Sequence, residues 1–426
     1  MSILSDYSVY GISSMVRDLY ILSDSPLSLE RTIIRKKYPI NPLLFSEIHV
    51  VTDKKFKVGD LVLFRLLRNG CYNDMETLWG NRVPLKKGKY YIGVLCERGS
   101  TKFITAEFSS NKIKKNTVFN FVAQGGGIGT ATGYSPALSQ RNLGAPYVRV
   151  EGLLATKDGK ILNIKNNTHS IANNIGKTKN IPTLLILGSG TDTGKTTIAC
   201  KIIKELKQKG VSCATLKASG TGWYEDSLMH QNAGAFPSLN FTFVGLPTTY
   251  YVPKKTYLKY LSRLLSFFSD PRRIPENWIH PKLRRKKRMT PELLVIEHGG
   301  DLIFANIPTF LSSSQLMKNV FGIVICNESV VSVIGAINQL KKYQPNKNKK
   351  VKIYVSAPIS MNPEAVYKRL ETLLRKRIIS SVFDVKKNII LQKKKRLSCK
   401  EYAKHYKNID SIKILVEKII ADVGRN

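Results

Sequence analysis

The chain has 426 residues, 42% hydrophobic and 23% charged, and its 68 Lys and Arg against 30 Asp and Glu leave a net charge of +38. That length and apolar content hold two or three domains with cores of their own and exclude global disorder. No apolar run approaches the roughly 18 residues that cross a membrane.

The start, Met1-Ser-Ile-Leu-Ser-Asp-Tyr7, lacks the basic-then-apolar order of a secretory signal. The six cysteines are scattered with no C-x-x-C pair, and Cys200, Cys213 and Cys326 sit in apolar runs. Reduced thiols in a cytoplasmic protein are expected, and no zinc site. The basicity fits an anionic partner, but Arg284–Arg288, Lys347–Lys352 and Lys393–Arg396 lie among loop residues without interleaved aromatics. A solvated basic surface is therefore favoured over a specific nucleic-acid partner.

In chain order, residues 1–45 mix short apolar clusters with Ser, Asp and Pro and predict a helical arm. Residues 46–165 break into short β-type runs, among them Gly59–Leu66, Tyr90–Leu95, Phe103–Phe108 and Tyr147–Leu153. That spacing predicts a small barrel or sandwich. Within it, Gln124-Gly-Gly-Gly-Ile-Gly-Thr-Ala-Thr-Gly133 reads either as a flexible surface loop or as a backbone cradle for an anion or small ligand. The polar stretch 165–180 is the expected linker.

Residues 181–426 alternate apolar strands with helices, the pattern of a parallel sheet covered on both faces, so the expected class is α/β with a small β-rich domain in front. Strands are predicted at Pro182–Leu187, Val211–Lys217, Leu293–Ile296, Val320–Cys326 and Val351–Ser356. Helices are predicted over Thr197–Leu206 and Val330–Leu340, and from the Asn362-Pro363 start to Leu374. The aromatic, proline-bearing segment 236–290 interrupts the pattern and reads as a helical insertion on the sheet, with a lid or interface element as the other reading.

The first strand feeds Gly188-Ser-Gly-Thr-Asp-Thr-Gly-Lys-Thr196, which opens a helix. A glycine-rich turn at a helix N-terminus aims backbone N–H groups at phosphates. Gly188, Ser189, Gly190, Thr191, Asp192, Thr193, Gly194, Lys195, Thr196 and Thr197 are thus the expected nucleotide contacts, with Lys195 on the terminal phosphates and the Thr196 hydroxyl on Mg²⁺. Lys217, Asp226 and Glu297 follow at or just beyond later strand ends, where ligand groups gather in such sheets. Two lysines can neutralise developing phosphate charge, while Thr196, Asp226 and Glu297 supply hard oxygens for Mg²⁺. Lys195, Lys217 and Asp192 are the candidate catalytic residues, and Thr221, Gly222, Gly299 and Gly300 the candidate acceptor contacts. His298 reads as a structural histidine.

Residues 183–380 resemble the dethiobiotin synthetase branch of the P-loop ATPases. The resemblance rests on the five residues between Gly188 and Gly194, on Lys217-Ala-Ser-Gly-Thr-Gly222, on Glu225-Asp-Ser227, on Glu297-His-Gly-Gly-Asp301 and on Ile334-Gly-Ala-Ile-Asn338. It implies ATP with Mg²⁺ and phosphoryl transfer that activates a small carboxylate or carbamate, with a small acid or amine as partner and homodimerisation as an option of the group. Gly190 stands where the family places an acid, Ala218 where it places a proline, and Ser356-Ala-Pro358 where it reads adenine. The alternative function is a nucleotide-driven switch controlling a protein or nucleic acid.

Overall fold

In the computed structural model, residues 2–16, 47–108, 112–114, 116–139, 144–165, 179–343, 351–358, 362–384, 387–391 and 410–424 are described. The expected linker over 166–178 and the lysine runs at 347–350 and 393–396 lie outside them.

The β-rich region closes on itself. Tyr147–Thr156 pairs with Leu61–Arg68, which pairs with Tyr90–Leu95. Tyr90–Leu95 meets Gly127–Tyr134 through a short parallel step, Gly127–Tyr134 pairs with Thr117–Ala123, and Thr117–Ala123 returns to Tyr147–Thr156. Of the barrel and the sandwich, the chain thus forms the barrel. Val62, Phe64 and Leu66 alternate into its interior with Tyr91, Phe121 and Val150.

The first residues correct the expected helical arm. Ser2–Ile3 pairs with Ile48–Val51, and Val9–Ile12 runs parallel to Tyr90–Ile92. The reason lies on the outer face of the barrel, where Leu61, Leu63, Ile92, Val94 and Leu154 would face water. Leu4, Val9, Ile12 and Met15 cover them. Residues 17–45 of the expected arm lie outside the described set, and among residues 2–16 only the single 3-10 turns Leu4–Asp6 and Ser14–Val16 are helical.

The second core is an eight-stranded sheet in the order Ser238–Asn240, Cys213–Ser219, Leu293–His298, Thr183–Gly188, Val320–Cys326, Lys352–Ser356, Ser381–Asp384 and Ile389–Leu391. All neighbours run parallel except the last pair. Helices Lys195–Gln208 and Ser411–Val423 cover one face through Ile198, Ile202, Leu206, Leu415 and Ile419. Lys254–Ser269, Val330–Tyr343 and Pro363–Arg375 cover the other. Asn362 caps the last of these by accepting from the Ala365 amide at 3.0 Å.

Segment 236–290 is not an appendage. It opens with the edge strand Ser238–Asn240, and Tyr257, Leu261, Leu264, Phe268 and Trp278 join the main core. Trp278 stacks on Phe243 with ring centres 5.1 Å apart. Among the described residues no helix is long and apolar enough to cross a membrane.

Candidate nucleotide site

The strand Thr183–Gly188 is buried throughout, between Leu293–His298 and Val320–Cys326, so its end is fixed by ladders on both sides. Glycine is favoured at two points of the loop that follows. A Cβ on Gly188 would stand 2.5 Å from Thr193 Oγ1 and 2.7 Å from Lys195 Nζ, and Gly194 turns into the helix with φ of +84°. Lys195 folds back over this loop, donating to the Gly190 carbonyl at 2.6 Å. Burial, and then the charge of Lys217, lower its pKa. Asp192 and Thr197 are exposed, and Ser189, Gly190, Thr191 and Thr193 are half-buried.

Four of the expected residues meet beside the loop. Lys217 and Glu297 are register partners on adjacent parallel strands, which places Lys217 Nζ 2.7 Å from Glu297 Oε1. Asp226 enters from the first turn of the helix Glu225–Ala233, with Oδ2 also 2.7 Å from Lys217 Nζ. The Thr196 hydroxyl completes the group, 2.8 Å from Glu297 Oε1 and 3.2 Å from Asp226 Oδ1.

Glu297 is fully buried, and burial alone would raise its pKa. Lys217 and the hydrogen bond from His230 outweigh that and hold it well below the usual carboxylate range. Burial would likewise lower Lys217, but Asp226 and Glu297 push it up and keep the ammonium charged. Three hard oxygen donors on one cluster form the kind of set Mg²⁺ takes, and the Lys217 ammonium already placed among the two carboxylates shows that the cluster accommodates positive charge.

His230 was not foreseen. It is fully buried, and its Nε2 lies 2.9 Å from Glu297 Oε2 while Nδ1 has no hydrogen-bond partner. Its spacing of four from Asp226 puts the two on one helix face, a signal the sequence did carry. His298 is structural as expected: Nδ1 lies 3.2 Å from Ser219 Oγ, and burial followed by the Lys217 charge lowers its pKa to about 3.

The expected acceptor residues divide. Thr221 and Gly299 are half-exposed, and Gly299 packs beside Lys217, where a Cβ would stand 3.2 Å from its Cε. Gly300 is buried with φ of +96°. Gly222 is buried against the barrel: a Cβ there would meet Met15 Sδ at 2.7 Å, and a Cβ on Gly125 would meet the Gly222 carbonyl at 2.2 Å. Gly222 thus closes the contact between the two cores instead of facing an acceptor. The same contact accounts for the glycine-rich run 124–133, a tight turn at Gly125-Gly126 leading into the barrel strand Gly127–Tyr134.

The barrel half reaches the site at three further points, two of them on the hairpin Asp74–Glu76/Arg82–Pro84 that packs on the barrel core. Glu76, fully buried, accepts from the Tyr224 amide at 2.8 Å and from the Ser14 hydroxyl, just ahead of the helix carrying Asp226. Arg82 Nη2 pairs with Glu225 Oε2 at 2.7 Å. Lys102 pairs with Glu328, and the charge of the loop residue Asp192 also bears on it.

A parallel sheet whose central strand runs through a glycine-rich Gly-Lys-Thr loop into a helix, with a carboxylate at the tip of the neighbouring strand, is a P-loop nucleoside-triphosphate-binding fold. No family model matches the chain, and no curated protein matches it. Among solved structures, it is similar to the signal recognition particle receptor FtsY from Elizabethkingia anophelis in complex with GDP, at 13% identity over 52% of this chain and 68% of that one, with a TM-score of 0.31. It is also similar to the cell division protein FtsY of Thermotoga maritima, at 16% identity over 51% and 68%, with a TM-score of 0.29. The kinase domain of the Escherichia coli tyrosine kinase ETK matches at 12% identity over 43% and 71%, with a TM-score of 0.23. Superpositions this loose carry no functional argument, and the fold assignment rests on the chain's own strand order and loop.

Proposed function

We propose that the chain is a Mg²⁺-dependent nucleoside triphosphatase in which the state of the nucleotide is coupled to the barrel. The observation that carries this reading is the Thr196–Lys217–Asp226–Glu297 cluster, together with the Glu76 carboxylate that holds the start of the helix bearing Asp226. Lys195 would exchange the Gly190 carbonyl for phosphate oxygens, and Thr196, Asp226 and Glu297 would hold the metal. Bound there, Mg²⁺ supplies charge neutralisation at the phosphates. Lys217, released from one carboxylate, would add a second cation to the transferring phosphoryl group. Any shift of Asp226 is felt at Tyr224 and so at Glu76.

The test is turnover of ATP and of GTP with and without Mg²⁺. Lys195→Ala and Glu297→Gln are expected to abolish it, and hydrogen exchange at Ser13–Val16 and Glu76 is expected to change when Mg²⁺ and a non-hydrolysable triphosphate bind. Full turnover in both variants overturns the site. Unaltered exchange in the barrel overturns the coupling.

A second reading, phosphoryl transfer to a small carboxylate or carbamate, follows the dethiobiotin synthetase resemblance. It is favoured by the side-chain-free backbone of Gly299 beside Lys217, with Gly220 against it. Turnover that rises with a small acid supports this reading. Turnover that rises only with a protein or polyanion supports the first.

A further inference from the structure

Across the seam from the P-loop domain, a buried positive charge of the barrel has no counter-charge among the described residues. Arg98, on the short strand Arg98–Gly99, is 8% exposed. Its Nη1 donates to the Tyr72 hydroxyl at 2.6 Å and to the Val122 carbonyl, both neutral, and its Nε has no partner. The rings of Phe103 and Tyr72 lie 5.6 and 5.8 Å from the guanidinium carbon. Among the described residues no carboxylate lies within ion-pair distance. Two residues on, the Ser100 hydroxyl is also buried without a partner. A guanidinium withdrawn from water bears its desolvation cost unless an anion answers it, and its fork of donors suits a carboxylate or phosphate.

Its place in the molecule narrows the role. Gly99 touches the P-loop domain, since a Cβ there would stand 2.7 Å from the Tyr250 ring and 2.6 Å from Phe304. The Tyr250 hydroxyl in turn lies against Gly300, 3.2 Å from where a Cβ would be, and Gly299 lies against Lys217. Burial pushes this phenol up to about 12, so that it stays a neutral donor; the charges of Arg98 and Lys217, one from each core, pull it down, and that of Asp301 adds to the rise.

We infer that Arg98 and Ser100, with Tyr250 across the seam, form a subsite for the carboxylate or phosphate end of a small acidic molecule. The inference rests on the second reading above, in which that molecule is the phosphoryl acceptor and its far end lies toward Lys217.

The test titrates the full chain with inorganic phosphate and, separately, with succinate, without nucleotide, by calorimetry. Saturable binding of at least one anion is expected, weakened tenfold or more in Arg98→Met and partly kept in Arg98→Lys. Arg272→Met, which removes an exposed cation of the same type, is expected to leave it unchanged and so separates the subsite from the general basicity. If Arg98→Met does not fold, Ser100→Ala and Tyr250→Phe carry the comparison. Failure of both anions to bind, or affinity unchanged in every folded variant of the three residues, overturns the subsite. Anion binding lost in these variants, with nucleotide turnover insensitive to the anion, upholds the subsite and overturns the acceptor reading alone.

Discussion

Glu76 of the barrel and Tyr224 of the P-loop domain, 148 residues apart in sequence, share a buried hydrogen bond of 2.8 Å at the start of the helix that carries Asp226. A carboxylate at this end of a helix also meets the positive end of its dipole. The barrel therefore helps to set the position of one of the two carboxylates beside the phosphate loop.

Glu76→Gln keeps the volume and one acceptor but removes the charge. It is expected to cost about 1 kcal/mol of stability, within the range of a charge-assisted helix contact, and to raise the Mg²⁺ concentration needed for half-maximal nucleotide binding. Chemical denaturation and a metal titration in the presence of nucleotide read the two effects.

His230→Ala removes the partner of Glu297 Oε2 and leaves a buried carboxylate oxygen unanswered. A loss of about 3 kcal/mol is expected from breaking a buried charged contact. His230→Asn, which can still donate, recovers part of it. Equal loss in both variants would show that ring volume, and not the hydrogen bond, is what matters.

His298 predicts a pH dependence. Its folded pKa of about 3 lies below its ordinary value of 6.5, so protonation favours the unfolded chain. The stability this group contributes is complete above pH 6.5 and is lost as the pH falls from 6.5 toward 3. At pH 5 the loss is about 2 kcal/mol, at 1.36 kcal/mol per unit. His298→Asn flattens the denaturation midpoint between pH 7 and 5, whereas an unchanged slope would place the titration elsewhere. Glu297, held low, loses its contribution only below its ordinary 4.5, so between pH 6.5 and 4.5 the change belongs to His298 and not to Glu297.

Gly125→Ala tests the contact between the cores. Its methyl would overlap the Gly222 carbonyl, and overpacking of this kind costs about 1–3 kcal/mol. Faster limited proteolysis near Gln124 and Thr221, with the barrel still folded, is the expected signature.

The phosphate loop was legible because strand, glycines, lysine and helix are contiguous in the chain. Lys217 and Glu297 were legible because parallel strands deliver their last residues to one edge, and the register pairs the two directly. His230 carried a local signal, four residues from Asp226. Glu76 carried none, and the glycine run at Gly125 signalled a loop or a cradle but not a seam, because both take their places only where the two cores meet. Gly222 misled for the same reason: a glycine beside a phosphate site and a glycine beneath a neighbouring turn look alike in sequence. The opening residues defeated a local reading too, since their apolar side chains answer to a barrel face formed by strands more than 40 residues on.

The ring of strands is completed by Tyr147–Thr156, ahead of the first strand of the P-loop sheet. During synthesis the barrel thus has all its strands before the phosphate loop leaves the ribosome, in the order typical of domains that fold as units. The nucleotide half then matures against a surface already in place, and lesions in the seam should appear first as failed assembly of the later-made half.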